Sequence, residues 1–214
     1  MVRSVLFGYA RNRRPQAGIA GGLMDWEFLE PLHEDWSPVS KPVWIGWLAF
    51  YALFLLYALN NRTGFLFIDY AFVPIHEGGH LLFGYFGHTL MVAGGTILQL
   101  GVPLLLAIYF VFLRQPTGVA FCSFFFFENF LNVATYMADS RRMELQYVTV
   151  GDPDLAEHDW FTMFSQMGVL EYDTRIAAVV RVLGWLGMIA VVIWLGWKTK
   201  TPDRPADSHS LRPY

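Results

Sequence analysis

The sequence predicts an all-α, polytopic membrane protein with four to five transmembrane helices and a short interfacial helix. Three observations point there. Of the 214 residues, 55% are hydrophobic and only 15% charged, whereas ordinary soluble domains carry roughly a quarter charged residues. The apolar residues are gathered into runs close to the ~20 residues that cross a bilayer as helix. Within those runs polar and apolar residues do not alternate, which excludes the strands of a membrane barrel. Helices remain, because they satisfy their own backbone groups in lipid. The net charge of −3 indicates no nucleic-acid partner, and Cys122, the single cysteine, has no mate for an internal disulfide.

Residues 1–42 read as a polar N-terminal arm, partly interfacial, since the stretch from Leu23 to Trp36 mixes Asp25, Glu27 and Glu30 with Trp26 and Phe28. No apolar run ending in a small-residue cleavage site occurs there, so no cleaved signal peptide is expected. A transmembrane helical domain covers residues 43–197. Its first span is 43–59, between Lys41 and Arg62, and its second, 65–87, contains the sequence HEGGH. The third, 96–113, is expected to follow a chain break at Gly94-Gly95. The fourth, 119–138, comes after the turn Gln-Pro-Thr-Gly and carries the block Phe124 to Phe127. In the following loop Trp160, Phe161, Phe164 and Met167 are spaced as one helical face, which predicts the interfacial helix. A fifth span, 176–197, leads to a proline-rich flexible tail, 198–214. The distribution of Lys and Arg slightly favours a cytoplasmic N-terminus.

An ionisable group at mid-bilayer costs at least roughly 2.5–3.5 kcal/mol on insertion scales, so such groups are functional candidates. Here they are Asp69, His76, Glu77, His80, Glu128 and Arg181, with Asp139 at a span end. His76 and His80 stand one helical turn apart and can hold one metal ion, with Glu77 beside them to act on a metal-bound water. The plainer alternative is interhelical hydrogen bonding by the histidines, with Glu77 paired to Arg181. A catalytic zinc site ordinarily needs a third protein ligand. Spans three and four make one return trip, which puts Asp139 on the same side of the membrane as His80. Asp139 also continues a stripe of Asn129, Asn132 and Tyr136 along one helix face. His158, in His-Asp-Trp, is the substitute ligand, and His88 a weaker one. Glu128 has no assigned role. Gly78, Gly79, Gly94 and Gly95 offer room for an extended substrate strand or for close helix packing.

These residues resemble the site-2 protease family of intramembrane zinc metalloproteases. The likeness covers about residues 65–140 and rests on HEGGH in a membrane helix, the following LLFGYFG, and a later helix whose asparagines lead to an aspartate. The resemblance implies zinc on His76, His80 and Asp139, Glu77 as general base, and Asn132 as the group that stabilises the oxyanion. The chain departs from the family's second signature: no proline lies between Asn129 and Asp139, and Ser140 rather than glycine follows the aspartate. The chain is similar also to uncharacterised bacterial membrane proteins near this family, which implies the bacterial inner membrane.

Two functions follow as expectations. One is a zinc-dependent intramembrane endopeptidase acting on a transmembrane protein substrate, with water led to the middle of the bilayer. The other is a non-catalytic accessory or structural subunit of a larger membrane complex, suggested by the eight tryptophans and nineteen phenylalanines available to face other spans; the metal site would then be structural or vestigial. Haem ligation is disfavoured, because two histidines on one helix face cannot be opposite axial ligands.

Overall fold

The computed structural model describes residues 36–145 and 158–198. The N-terminal arm and the C-terminal tail read from the sequence fall almost wholly outside these residues. Among the described residues the chain is helical without strands: α1 (Lys41–Asn60), α2 (Asp69–Phe83), α3 (His88–Phe112), α4 (Pro116–Ala138), α5 (Asp159–Met167) and α6 (Asp173–Lys198). Helices α1, α3 and α4, and α6 with the 3₁₀ turn Leu170–Tyr172 before it, are long and apolar enough to cross a membrane. The protein is an integral, all-α membrane protein.

Helix α2 departs from the expected second span. It has 15 residues, about 22 Å of helix, short of the ~30 Å hydrocarbon core. The chain before it is not helical: Asn61 closes a turn by accepting from Thr63 N–H and Gly64 N–H, and the Asp69 carboxyl accepts from Leu66 N–H at 2.6 Å. A 3₁₀ turn, Gly84–Phe86, follows it and ends at Gly87, whose φ of 104° reverses the chain. The motif therefore rides on a half-length helix.

The break expected at Gly94-Gly95 is absent, and α3 runs unbroken through both glycines. They serve another purpose. A Cβ on Gly79 would collide with the Gly94 carbonyl and the Gly95 Cα, and a Cβ on Gly94 with Gly79 O at 2.6 Å. Three of the four glycines thus let α2 and α3 cross backbone to backbone, the close helix packing that was the other expectation for them.

The bundle core lies between α1, α4 and α6. In lipid, helices associate through packing and polar contacts rather than by removing apolar surface from water, so ring contacts matter. Tyr51 of α1 meets Phe124 of α4 at 4.6 Å between centroids, and Phe54 meets Phe125 edge-on at 5.4 Å. Such pairs contribute ~0.5–1.5 kcal/mol each beyond area. Helix α5 packs Phe164 against Val133, Ala134, Met137 and Ala177, while Met167 and Phe161 remain exposed, as an interfacial helix requires. Arg141, just past α4, clamps Asp173 at the start of α6 with two bonds of 2.8 and 2.7 Å.

Candidate metal centre

His76 and His80 stand one turn apart on α2, so both rings leave the same face, toward α3. Their Nε2 atoms converge on one oxygen: Asp159 Oδ2 lies 3.0 Å from His76 and 3.3 Å from His80. The three ligand atoms fall within 4.8 Å of one another. Zinc bonds of ~2.0–2.2 Å in tetrahedral arrangement place neighbouring ligand atoms about 3.3 Å apart, so these contacts are of the right size for one ion.

The far sides of the rings settle which nitrogen carries the proton. His80 Nδ1 lies 2.8 Å from the Met91 carbonyl, an acceptor only, so Nδ1 donates. For His76 the assignment passes through a chain of amides. Asn129 Nδ2 donates to the Phe125 carbonyl at 2.7 Å, which turns Asn129 Oδ1 toward Gln99. Gln99 Nε2 donates to Asn129 Oδ1 and to Asn132 Oδ1, at 2.7 and 3.1 Å. Its Oε1 is thereby left facing His76 Nδ1 at 2.9 Å, which must donate. Without an ion, each imidazole meets the Asp159 oxygen through an Nε2–H when protonated; when neutral with the proton on Nδ1, each turns an Nε2 lone pair to the same point, where a cation would be held by all three atoms. Outer acceptors that orient ring N–H groups are the usual support of metal-bound histidines. Two imidazole nitrogens and one carboxylate, with a fourth position open, also form the donor set of catalytic zinc. The residues fit the metal.

Burial alone would raise the Asp159 carboxyl, but with no ion present Nε2–H donation and positive charge from protonated His76 and His80 hold it below the usual carboxylate range. Glu77 is half-buried and forms no hydrogen bond or ion pair among the described residues. Gly95 lies directly over the cluster: a Cβ there would stand 2.6 Å from His80 Nε2.

The carboxylate that stands beside the two imidazoles is that of Asp159, not the expected Asp139. Asp139 sits at the C-terminal end of α4, where its two oxygens accept from Glu144 N–H and Leu145 N–H at 3.0 and 3.1 Å, and where it stands 3.7 Å from His158 Nε2. It braces the chain beside the site. His158 is not in the cluster either. Its Nδ1 caps α5 by accepting from Phe161 N–H, its ring stacks on Tyr136 at 4.5 Å, and burial keeps its imidazole below the ordinary value. Asn132 accepts from Gln99 Nε2 at 3.1 Å and is not among the three clustered residues. His88 begins α3, outside the cluster. The Glu77–Arg181 pairing is not formed, and Arg181 donates to Thr135 Oγ1 instead.

Asp159 and Gln99 were missed for identifiable reasons. Asp159 is the neighbour of His158 in the same tripeptide, but an acid in the first turn of a helix reads as a dipole partner. Gln99 carries no charge, yet it is the one amide within the 25 apolar-rich residues of α3, and that isolation was the available signal. Comparison with known proteins finds no matching protein family, no curated relative and no solved structure similar to this chain.

Proposed function

We propose that the protein is a zinc-dependent endopeptidase that cleaves membrane proteins close to the bilayer surface. The observation that carries this reading is the convergence of His76 Nε2, His80 Nε2 and Asp159 Oδ2 beside an unengaged Glu77. The likeness of HEGGH to the site-2 protease motif supports the same chemistry and the bacterial inner membrane as its setting.

His76, His80 and Asp159 would hold the ion, with Gln99 and Met91 fixing the two rings. When bound, zinc supplies a Lewis acid for the scissile carbonyl and makes a coordinated water acidic near neutral pH. Glu77 would act as the carboxylate base, taking a proton from water at the site and returning it to the departing amide nitrogen. Depth matters for water supply. His76 lies 6.1 Å from Tyr136, two residues before α4 ends. With α4 taken across the bilayer and its C-terminal end at the surface, Tyr136 beside His76 is about 3 Å along the helix from that end. Water needs to enter a shallow site rather than reach the midplane.

The test is zinc content and peptide cleavage of the purified protein and of Glu77→Gln, with transmembrane peptides as substrates and new termini read by mass spectrometry. Zinc in both proteins with cleavage only by the parent is expected. A parent without zinc ends the proposal. Zinc without cleavage, together with co-purifying partners, would favour the accessory-subunit reading.

A further inference from the structure

A second polar cluster lies on the other side of the asparagine stripe. Glu128, ten residues before the end of α4, is 0% exposed, and Asp69, opening α2, is 2% exposed. Neither Glu128 oxygen receives a hydrogen bond from an N–H or hydroxyl group. Its polar neighbour is the Asp69 carboxyl, close enough for one acid to donate to the other. Both side chains line a cavity of about 220 Å³ with Asn61, Asn132, Thr135 and Arg181. The charged and titratable groups facing the pair are few. Helix α1 and its turn contribute only apolar side chains and Asn61. Helix α6 contributes Arg181, which is exposed and donates to Thr135 Oγ1 at 3.1 Å without pairing to either acid.

Two adjoining carboxylates with no cation on them cannot both be charged away from water, because desolvation and mutual repulsion add. The surroundings are unequal. Asp69 accepts a backbone N–H from Leu66 and lies beside the Asn132 amide, both of which favour its ionised form. Glu128 has neither. Asn132 lines the same cavity as Asp69, and from Asn132 the hydrogen bonds run on to Gln99 and from Gln99 to His76. Negative charge at one end polarises each amide in turn and makes the imidazole at the other end a better donor, as a carboxylate does by direct contact in other metal sites.

We propose that Asp69 and Glu128 share one proton, held by Glu128, and that the remaining charge on Asp69 acts through Asn132 and Gln99 to strengthen metal binding by His76. The second half rests on the metal reading above; the first does not. The proton site is tested by infrared spectroscopy of the parent protein in H₂O and D₂O at neutral pH. A protonated-carboxyl C=O band is expected, shifted by deuterium, lost in Glu128→Gln and kept at a changed frequency in Asp69→Asn, where Glu128 stays buried. Absence of that band in the parent overturns the proposal, and absence combined with stabilisation by Na⁺ or Ca²⁺ would assign a cation to the site instead. The coupling is tested by chelator competition for zinc. Asp69→Asn should weaken binding about tenfold, the lower end of losses from outer contacts, while Glu128→Gln, which leaves Asp69 charged, should bind as the parent does. Equal zinc affinity in parent and Asp69→Asn overturns the coupling. If the parent binds no zinc, the metal reading fails and the infrared result still decides the acid pair. Should a variant not fold, pH titration of the parent's own band keeps the proton site testable.

Discussion

Asp139 and Asp159 carry the same functional group at the same end of the bundle, and their neighbours divide the roles. Asp139 spends its oxygens on two backbone N–H groups of the chain leaving α4, while Asp159 turns one oxygen to two imidazoles. Chelator competition should therefore separate them. On the proposed assignment Asp159→Ala removes a ligand and should weaken zinc binding by well over ~100-fold, beyond what outer contacts supply; Asp139→Ala, which touches neither His76 nor His80, should cost about tenfold at most. Comparable losses in the two variants would refute the assignment. Gln99 offers a sharper case, because its amide orientation is set by Asn129 and Asn132. Gln99→Leu should lower zinc affinity ~10–100-fold with the helices intact by circular dichroism, whereas an unchanged affinity would mean that His76 needs no outer acceptor.

At the scale of elements, the crossing of α2 and α3 determines where the motif can be. Two helices meet at Gly79 and Gly94 so closely that no Cβ fits, and this contact sets His76 opposite Gln99 and His80 opposite the Met91 carbonyl. Gly79→Ala should lower stability by ~1–3 kcal/mol through overpacking, read from unfolding of the detergent-solubilised protein. Gly78 is the control one residue away: its nearest outside neighbour would be Leu98 Cδ2 at an ordinary 3.8 Å. Gly78→Ala should be neutral or stabilising by up to about 1 kcal/mol, since alanine is the better helix former. Equal destabilisation by both would place the crossing elsewhere. Helix α2 is also short for a reason visible in its ends. The Asn61 turn and the Asp69 carboxyl occupy the backbone N–H groups that a longer helix would need, and Gly87 reverses the chain beyond it.

Across the whole molecule, the centre is assembled from both ends of the chain's fold: α2 and α3 supply the histidines and their acceptors, and α5 brings Asp159 from eighty-three residues away. An ion bound there would tie α5 to α2. Removal of zinc should raise amide hydrogen exchange in 159–167 and the second half of α2, with little change in α1, α4 and α6, because ligand binding stabilises only what it holds together. Uniform exchange across the molecule on chelation would contradict that picture.

The sequence by itself determined the solvent, the helical class and the motif. Its apolar runs exceed what water tolerates, and the 3.6-residue period alone puts His76, Glu77 and His80 on adjoining positions of one turn. The interfacial helix was equally legible, because Trp160 and Phe164 recur at helical spacing. The length of α2, the passage of α3 through Gly94-Gly95 and the choice of Asp159 over Asp139 were decided only by the tertiary structure. Each depends on which backbone and side-chain groups meet across helices, and the same glycine pair or aspartate has different partners in different packings. Local periodicity is a property of neighbours in the chain, whereas a third ligand is a property of neighbours in space.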